Sequence, residues 1–379
     1  MTRASLRPFA LKLVSPLDTA RGPIRDREGF VVSVDTADSD SSRATGVGEA
    51  TPLPGWTESL SACESALLDA GVSTVAADDE TPVSDQRQSD PISSGPTSTD
   101  PLTRLDPAET PAARHGLALA LADAAARDAE RSLSAELVAD CDLPPPAETV
   151  PVNATIGDAD PDATAAAAAS AVDEGFDCLK VKVGARSVDA DAARFRAVRD
   201  AVGDAVALRA DANGAWDLPT ARATLDRFAP FDLEYVEQPL PAADLDAAAR
   251  LRADAPVPIA LDESLSEHDL DAVLDARAAD VIVVKPMALG GPDRALSAAL
   301  RARAAGVDPV VTTTIDAVVA RTAAVHVAAA IPDVRPCGLA TRSLLKDDLA
   351  ADPCQVVDGA IEVPNGPGLA GEAFDALRC

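Results

Sequence analysis

From Val150 onward the chain repeats one theme: a short apolar run rich in β-branched residues, an alanine-rich stretch closed by glycine, then another apolar run. The runs are "VNATI", "CLKVKV", "VALRAD", "EYVEQ", "PIALDE", "DVIVVKP" and "PVVTTTI", with a weaker one near "RPCGLAT". Between them lie stretches such as "PDATAAAAASAVDEG", "DADAARFRAVRDAVG" and "GPDRALSAALRARAAG", whose terminal glycines suit a left-handed helix C-cap. Strands separated by helices return to the same end of a sheet and pair in parallel. Eight such units over about 190 residues predict an α/β fold, a modified (β/α)8 barrel of (β/α)7β-like form spanning residues 149–348. A doubly wound open sheet is the alternative, but no G-x-G-x-x-G follows the first run to support its dinucleotide-binding version.

The N-terminal part has a different texture. Residues 5–50 alternate apolar and polar positions, as in "FALKLV" and "GFVVSVDT", and predict antiparallel strands. Thr57 and Glu58 can start a helix that runs to Gly71. Residues 76–104 are rich in Asp, Ser, Thr and Pro with little to bury, and predict a disordered or mobile insertion. A helical region, "TPAARHGLALALADAAARDAERSLSAEL", and a proline-stiffened linker, "CDLPPPAET", complete an α+β domain over residues 1–148.

Barrel active sites are built where strands end, so charged residues at those positions carry most information. They are Lys180 and Lys182, Asp211, Glu237, Asp262 with Glu263, and Lys285, and from Asp211 onward they recur about every 25 residues, one βα unit apart. Any one of these acids taken alone would read as a helix cap or a solvated loop residue. Recurrence at one height on consecutive strands is what points to a site. Three carboxylates converging there would be costly without a cation, and an all-oxygen donor set favours Mg²⁺, with Mn²⁺ also possible. Lysine usage sharpens the reading, because the chain's lysines are Lys12, Lys180, Lys182, Lys285 and Lys346 while its other positive charge is arginine. Arginine keeps its proton at any useful pH, whereas a lysine beside another cation can lose it. Lys180 and Lys182 lie on one face of their strand, so each is expected to depress the other's pKa and leave one as a neutral base.

Composition narrows the partners. A formal charge of −29 disfavours nucleic acid and anionic membrane surfaces and leaves small molecules and metal cations. Crowded aspartate with few lysines and aromatics fits a cytoplasm of concentrated salt, where a Debye length of about 3 Å at 1 M screens surface carboxylates from one another. Cysteines Cys63, Cys141, Cys178, Cys337, Cys354 and Cys379 show no C-x-x-C spacing, and His115, His268 and His326 show no ligand spacing, so neither zinc nor a disulfide framework is expected. The N-terminal apolar run is broken by Lys12 and Pro16, and no membrane span is expected. Oligomeric state stays open.

"KVKVG", "RADANGAW", "EYVEQP", "LDES" and "VVKP", in that order, resemble the enolase superfamily through nearly the whole chain apart from residues 76–104. "RDREGF", "GEATPLPGW", "TTTID" and "CGLATRSLLKDDL" are most similar to the o-succinylbenzoate synthase family within its muconate-lactonising subgroup. That resemblance implies Asp211, Glu237 and Asp262 as Mg²⁺ ligands, Asn213 and Glu263 in support, Lys182 as acid/base, Lys180 as its cationic neighbour and Lys285 on the opposite face. It implies that Thr312, Thr313 and Thr314, with Gly338 and Leu339 to Ala340, border the substrate, that residues 17–29 and 51–56 close over the barrel mouth, and that residues 349–379 return to the cap. A lysine base working with Mg²⁺ on an ene-diolate is the superfamily's established chemistry and comes with the resemblance. The reaction implied is dehydration of a small carboxylate, 2-succinyl-6-hydroxy-2,4-cyclohexadiene-1-carboxylate, to 2-succinylbenzoate in menaquinone biosynthesis. N-acylamino-acid racemisation, dipeptide epimerisation and muconate cycloisomerisation use the same residue types, although "CGLATRSLL" lacks the D-x-D that would meet a dipeptide's ammonium group. A non-catalytic acidic scaffold is the remote alternative, and it has no use for three in-phase titratable amines.

Overall fold

The computed structural model describes residues 2–19, 22–37, 43–74 and 100–378. Strands β1 (Thr2–Thr19), β2 (Gly22–Ala37) and β3 (Arg43–Ala50) form an antiparallel meander, and β4 (Ser73–Thr74) adds in parallel to β1. The alternation read in the sequence buries Phe30, Val32 and Val34 from β2 beneath helices α1 (Leu60–Asp69) and α2 (Pro111–Asp128), and α3 (Leu133–Leu137) follows. Glycine sets how near α2 can lie. A Cβ at Gly48 would collide with the Gly116 carbonyl, and one at Gly46 with the Ala120 carbonyl. Helix α1 begins one turn later than Thr57 and Glu58 suggest, with Ser59 as the residue whose hydroxyl caps Ala62 N–H. Glu58 caps another helix instead, accepting from Ala112 and Ala113 at the start of α2.

Most of the segment 76–104 lies outside the described residues. Its last part departs from the expectation of disorder: Pro101–Arg104 form a 3-10 turn capped by Asp100, and Leu102 and Leu105 pack into the same core as α2. These apolar side chains give the end of an otherwise polar stretch something to bury.

The barrel is a seven-stranded parallel sheet, β6 (Ala154–Ile156), β7 (Cys178–Lys182), β8 (Ala207–Asp211), β9 (Leu233–Glu237), β10 (Ile259–Leu261), β11 (Val281–Val284) and β12 (Asp308–Val311), paired in sequence order. The eighth run does not form a strand of its own. Cys337 bridges Val152 and Gly338 bridges Thr312, so two residues close the seam between the first and last strands. Helices α4 (Pro161–Asp173), α5 (Val188–Val202), α6 (Leu218–Phe228), α7 (Leu245–Asp254), α8 (Ser264–Glu267), α9 (Leu270–Asp275), α10 (Pro286–Leu289), α11 (Pro292–Ala304) and α12 (Val318–Ala330) lie along its outside or in its loops. Alternation along the strands sorts residues to two faces: Leu179, Val181, Leu208, Ala210 and Val236 join the large core under the helices. Inside the barrel Tyr235, Ala260, Val281 and Val310 pack as a separate small cluster. The Arg209 guanidinium lies 4.8 Å from the Tyr235 ring centre, which gives the site a filled floor.

After the seam, β13 (Val356–Val357) and β14 (Ala360–Glu362) pair with each other and β14 with β5 (Thr149–Pro151). The chain then runs back to the meander, where Leu369, Phe374 and Leu377 pack with Val31, Val47, Leu119 and Leu133. Among the described residues no helix is long and apolar enough to cross a membrane.

Candidate active site at the barrel mouth

Parallel register places the charged residues side by side. Lys182 is the cross-strand partner of Asp211, Asp211 of Glu237, and Ala260 of Glu237, which puts Asp262 just past the end of the next strand. Lys180, two residues before Lys182, shares its face. The side chains form a chain of alternating sign. Lys182 Nζ lies 2.6 Å from Asp211 Oδ2 and donates to Asn213 Oδ1 at 2.8 Å. Lys180 Nζ lies 3.1 Å from the same Asp211 oxygen and donates to both oxygens of Glu237, at 2.8 and 3.1 Å. Lys285 Nζ lies 2.7 Å from Asp262 Oδ2, and Asn213 Nδ2 donates to Glu263 Oε1 at 2.9 Å.

The surroundings hold these groups in place. Buried Arg194 reaches the Lys182 carbonyl at 2.7 Å and so fixes the end of β7 from behind. Gln238 accepts from the N–H groups of Asp262 and Ser264, which orients the turn after β10. Asn213, Gln238 and Ile315 have positive φ values of 44°, 40° and 61°, so the backbone doubles back just beyond β8, β9 and β12. For Ile315, a β-branched residue, that conformation is strained.

Electrostatics correct one expectation. Burial pulls the Lys180 pKa down, but Asp211 and Glu237 outweigh it and hold that amine well above its ordinary value, the opposite of the lowering expected from Lys182. Asp211, despite burial, is held below the usual carboxylate range by Lys180 and Lys182. Burial, then Asp211, pushes Glu237 up to about 7, and burial pushes Asp262 up to about 6 against the pull of Lys285.

The remaining predicted residues are placed as follows. Thr312 donates to the Gly338 carbonyl at 2.7 Å, Thr313 pairs with Thr341 at 3.2 Å, and Thr314 donates to Asp316. Leu339 is buried in the large barrel core. Thr312 and Thr313 therefore knit the end of β12 to the seam, and Thr314 braces its own loop. Three further residues join the site from the cap or its contact with the barrel: Trp56 and Arg27, inside the segments 51–56 and 17–29 expected to close over the mouth, and Glu49, to which the sequence reading gave no role. Trp56 lays its ring over Lys285, with Nζ 3.2 Å from the ring centre. Arg27 and Glu49 are buried between cap and barrel. Their signal in sequence was only their place inside "RDREGF" and "GEATPLPGW".

Among the described residues no three acidic, thiol or imidazole side chains are gathered to hold an ion. The expected convergence of three bare carboxylates is replaced by acids interleaved with ammonium groups, because ion pairing is how buried charge is satisfied by side chains alone. The donor set nevertheless fits a hard divalent cation. It is all oxygen, four carboxylates outnumber three ammonium groups, and Asp262 Oδ1 and Glu263 Oε2 are buried without a partner.

Comparison with known proteins places this geometry. Residues 163–375 match the enolase C-terminal domain-like family. The chain belongs to the enolase superfamily. As a member of that superfamily it is an enzyme, and the matched region carries every one of Lys180, Lys182, Asp211, Glu237, Asp262 and Lys285. Among its relatives is an o-succinylbenzoate synthase from Thermobifida fusca, 43% identical over 224 residues, covering 58% of this chain and 68% of that one. An N-succinyl-L-Arg/Lys racemase from Bacillus cereus is 34% identical over 183 residues, and this chain spans about half (49%) of its length. A dipeptide epimerase from Enterococcus faecalis, solved with Mg and the dipeptide L-Leu-L-Tyr, shares the fold at a TM-score of 0.78 with 24% identity, covering 97% of this chain and 98% of that one. The family match spans most of the barrel and the segment after it, and the shared fold extends over the cap as well.

Proposed function

We propose that the protein is an o-succinylbenzoate synthase, a lyase that dehydrates 2-succinyl-6-hydroxy-2,4-cyclohexadiene-1-carboxylate to 2-succinylbenzoate. Identity to the Thermobifida enzyme supports the reading, but the observation that carries it is the asymmetry of the lysines. The Lys182 side chain is 37% exposed, while that of Lys285 is 10% exposed, covered by Trp56 and paired with Asp262. One accessible amine suits a reaction in which one group both removes a proton and returns it. Racemisation needs an amine on each face.

Asp211, Glu237 and Asp262 would hold the divalent cation, with Asn213 and Glu263 bracing them. Bound there, the cation supplies positive charge for the second negative charge that develops on the substrate carboxylate as the adjacent C–H bond breaks. Lys182 Nζ takes that proton, and the electron pair moves onto the carboxylate carbon and oxygens. The ring C–O bond then breaks with its pair, the Lys182 ammonium gives the proton to the departing hydroxide, and water leaves as the ring becomes aromatic. Lys180 stays charged throughout, and Lys285 balances the enolate from beneath Trp56.

Purified protein assayed with the cyclohexadiene carboxylate, beside a panel of N-succinyl amino acids and dipeptides, tests the reading. Dehydration should exceed every other activity in kcat/KM, and Glu237→Gln should abolish it while thermal unfolding stays cooperative. Turnover of N-succinyl amino acids without any dehydration would assign the protein to the racemases instead.

A further inference from the structure

The cap loop that carries Trp56 is tied to the barrel by one buried guanidinium. Arg27, on β2 and 2% exposed, donates from Nη2 to the Thr51 carbonyl at 2.9 Å and from Nη1 to the Pro52 carbonyl at 3.0 Å. Its Nε donates to the Ile315 carbonyl at 3.1 Å, across to the barrel. Ile315 is the β-branched residue held at φ 61°, between Thr314 and Asp316 in the loop that follows β12. A residue persists in that conformation only when its surroundings hold it there.

Glu49 fastens the same seam from the end of β3. Its fully buried carboxylate accepts from Ala317 N–H at 2.8 Å and Ala320 N–H at 2.9 Å, at the start of α12, and from the Thr51 hydroxyl. His115 on α2 contacts the Glu49 carbonyl at 2.8 Å. None of these groups is a catalytic residue of the scheme above, and none touches Asp211, Glu237 or Asp262. Burying an acid and a guanidinium between cap and barrel is costly unless their hydrogen bonds are made, and the bonds made here run to the cap loop, to the turn at Ile315 and to the start of α12.

We propose that Arg27, braced by Glu49, is a positioning residue that clasps the cap loop at Thr51 and Pro52 to the strained turn at Ile315 and thereby sets Trp56 over Lys285, fixing which face of a bound carboxylate stays open to an amine. The inference deepens the dehydratase reading by naming what keeps Lys285 covered. Without the clasp the loop keeps, among the described residues, only the indirect tie from the Thr51 hydroxyl through Glu49 to α12, and the indole is free to leave the ammonium.

The chain's two tryptophans make the clasp measurable without substrate. Trp216 is only 6% exposed, so a change in acrylamide quenching of the full-length protein reports Trp56. Arg27→Lys keeps the positive charge beside Glu49 and Asp316 but cannot reach three carbonyls, and should raise the quenching constant about twofold or more as the loop opens. Arg27→Met should do the same, and if it fails to fold, Arg27→Lys decides. A second arm uses activity. Trp56→Leu should lower kcat/KM for dehydration about tenfold in the native background but less than about threefold in Arg27→Lys, because residues acting through one another are not additive. Trp56→Phe, which keeps an aromatic face, should restore most of the loss. Unchanged quenching in Arg27→Lys, or losses that multiply independently, would overturn the clasp. Lack of dehydration would sink the dehydratase reading and leave the fluorescence arm standing.

Discussion

Lys182 is shared between Asp211 and Asn213 with more than a third of its side chain exposed, whereas Lys285 lies beneath an indole and against Asp262. The two amines are therefore suited to different work. Lys285→Arg keeps a charge beside the enolate but gives up a usable pKa, so it should leave measurable dehydration while eliminating any racemisation. The ratio of the two rates is the quantity to read, since the bulkier guanidinium slows both. Equal loss of both activities would show that Lys285 exchanges a proton in dehydration too. The lysines and acids were legible in the sequence because each sits at a strand end and strands recur at a fixed period. The segments that carry Arg27 and Trp56 were expected over the barrel mouth, but their contacts, and any part for Glu49, were not legible, because the partners Ile315, Lys285 and Ala317 lie more than two hundred residues away and no local pattern announces the contact. Lys180 is the cationic neighbour the resemblance implied, but the expected lowering of its pKa by Lys182 is outweighed for a related reason: Lys182 is visible beside it in sequence, while the two carboxylates that raise it lie on other strands.

At the scale of elements, α12 shows how completely the parts depend on one another. It has no capping side chain of its own, and its first N–H groups are satisfied by Glu49 from the cap and by Asp348 from the segment after the seam. Its buried Arg321 pairs with Asp348 and Asp352. Farther along, His326 accepts from Ser134 N–H through Nδ1 at 3.2 Å and contacts the Leu369 carbonyl through Nε2 at 2.7 Å, so hydrogen bonding assigns the neutral ring with its proton on Nε2. Burial lowers its pKa from 6.5 to about 4. The unfolded chain takes up a proton between those values and the folded one does not, so stability is full above pH 6.5 and is lost as pH falls toward 4. The loss amounts to roughly 3 kcal/mol for this group alone. The fall in urea midpoint between pH 7 and pH 5 should be smaller in His326→Gln than in the native protein. An identical fall in both would remove His326 from the account. His326 shows no ligand spacing in the sequence, and the barrel-to-cap span it satisfies was invisible there because Ser134 and Leu369 contribute only backbone atoms.

For the whole molecule, barrel and cap were legible from texture: alternation at period two before residue 50, strand and helix in turn after residue 150. The eighth strand shrank to two bridging residues, and the polar segment ended in an ordered turn, because a seam needs few hydrogen bonds and two leucines suffice to anchor a short helix. A formal charge of −29 spread over this fold must repel itself when screening is removed. Thermal unfolding measured from salt-free buffer to 2 M KCl should show a melting temperature that climbs with salt, and an unchanged melting temperature would detach the acidity from any salt requirement.

In the proposed reaction one exposed lysine, Lys182, backed by Lys180, Lys285 and three strand-end carboxylates, moves a proton from a carboxylate substrate. Conversion of 2-succinyl-6-hydroxy-2,4-cyclohexadiene-1-carboxylate to 2-succinylbenzoate, followed for Lys182→Ala beside the native enzyme in Mg²⁺, tests that claim most directly. Loss of the general acid and base together should lower kcat by at least about a thousandfold while the variant stays folded. A Lys182→Ala enzyme that dehydrates the substrate at the native rate would contradict the assignment.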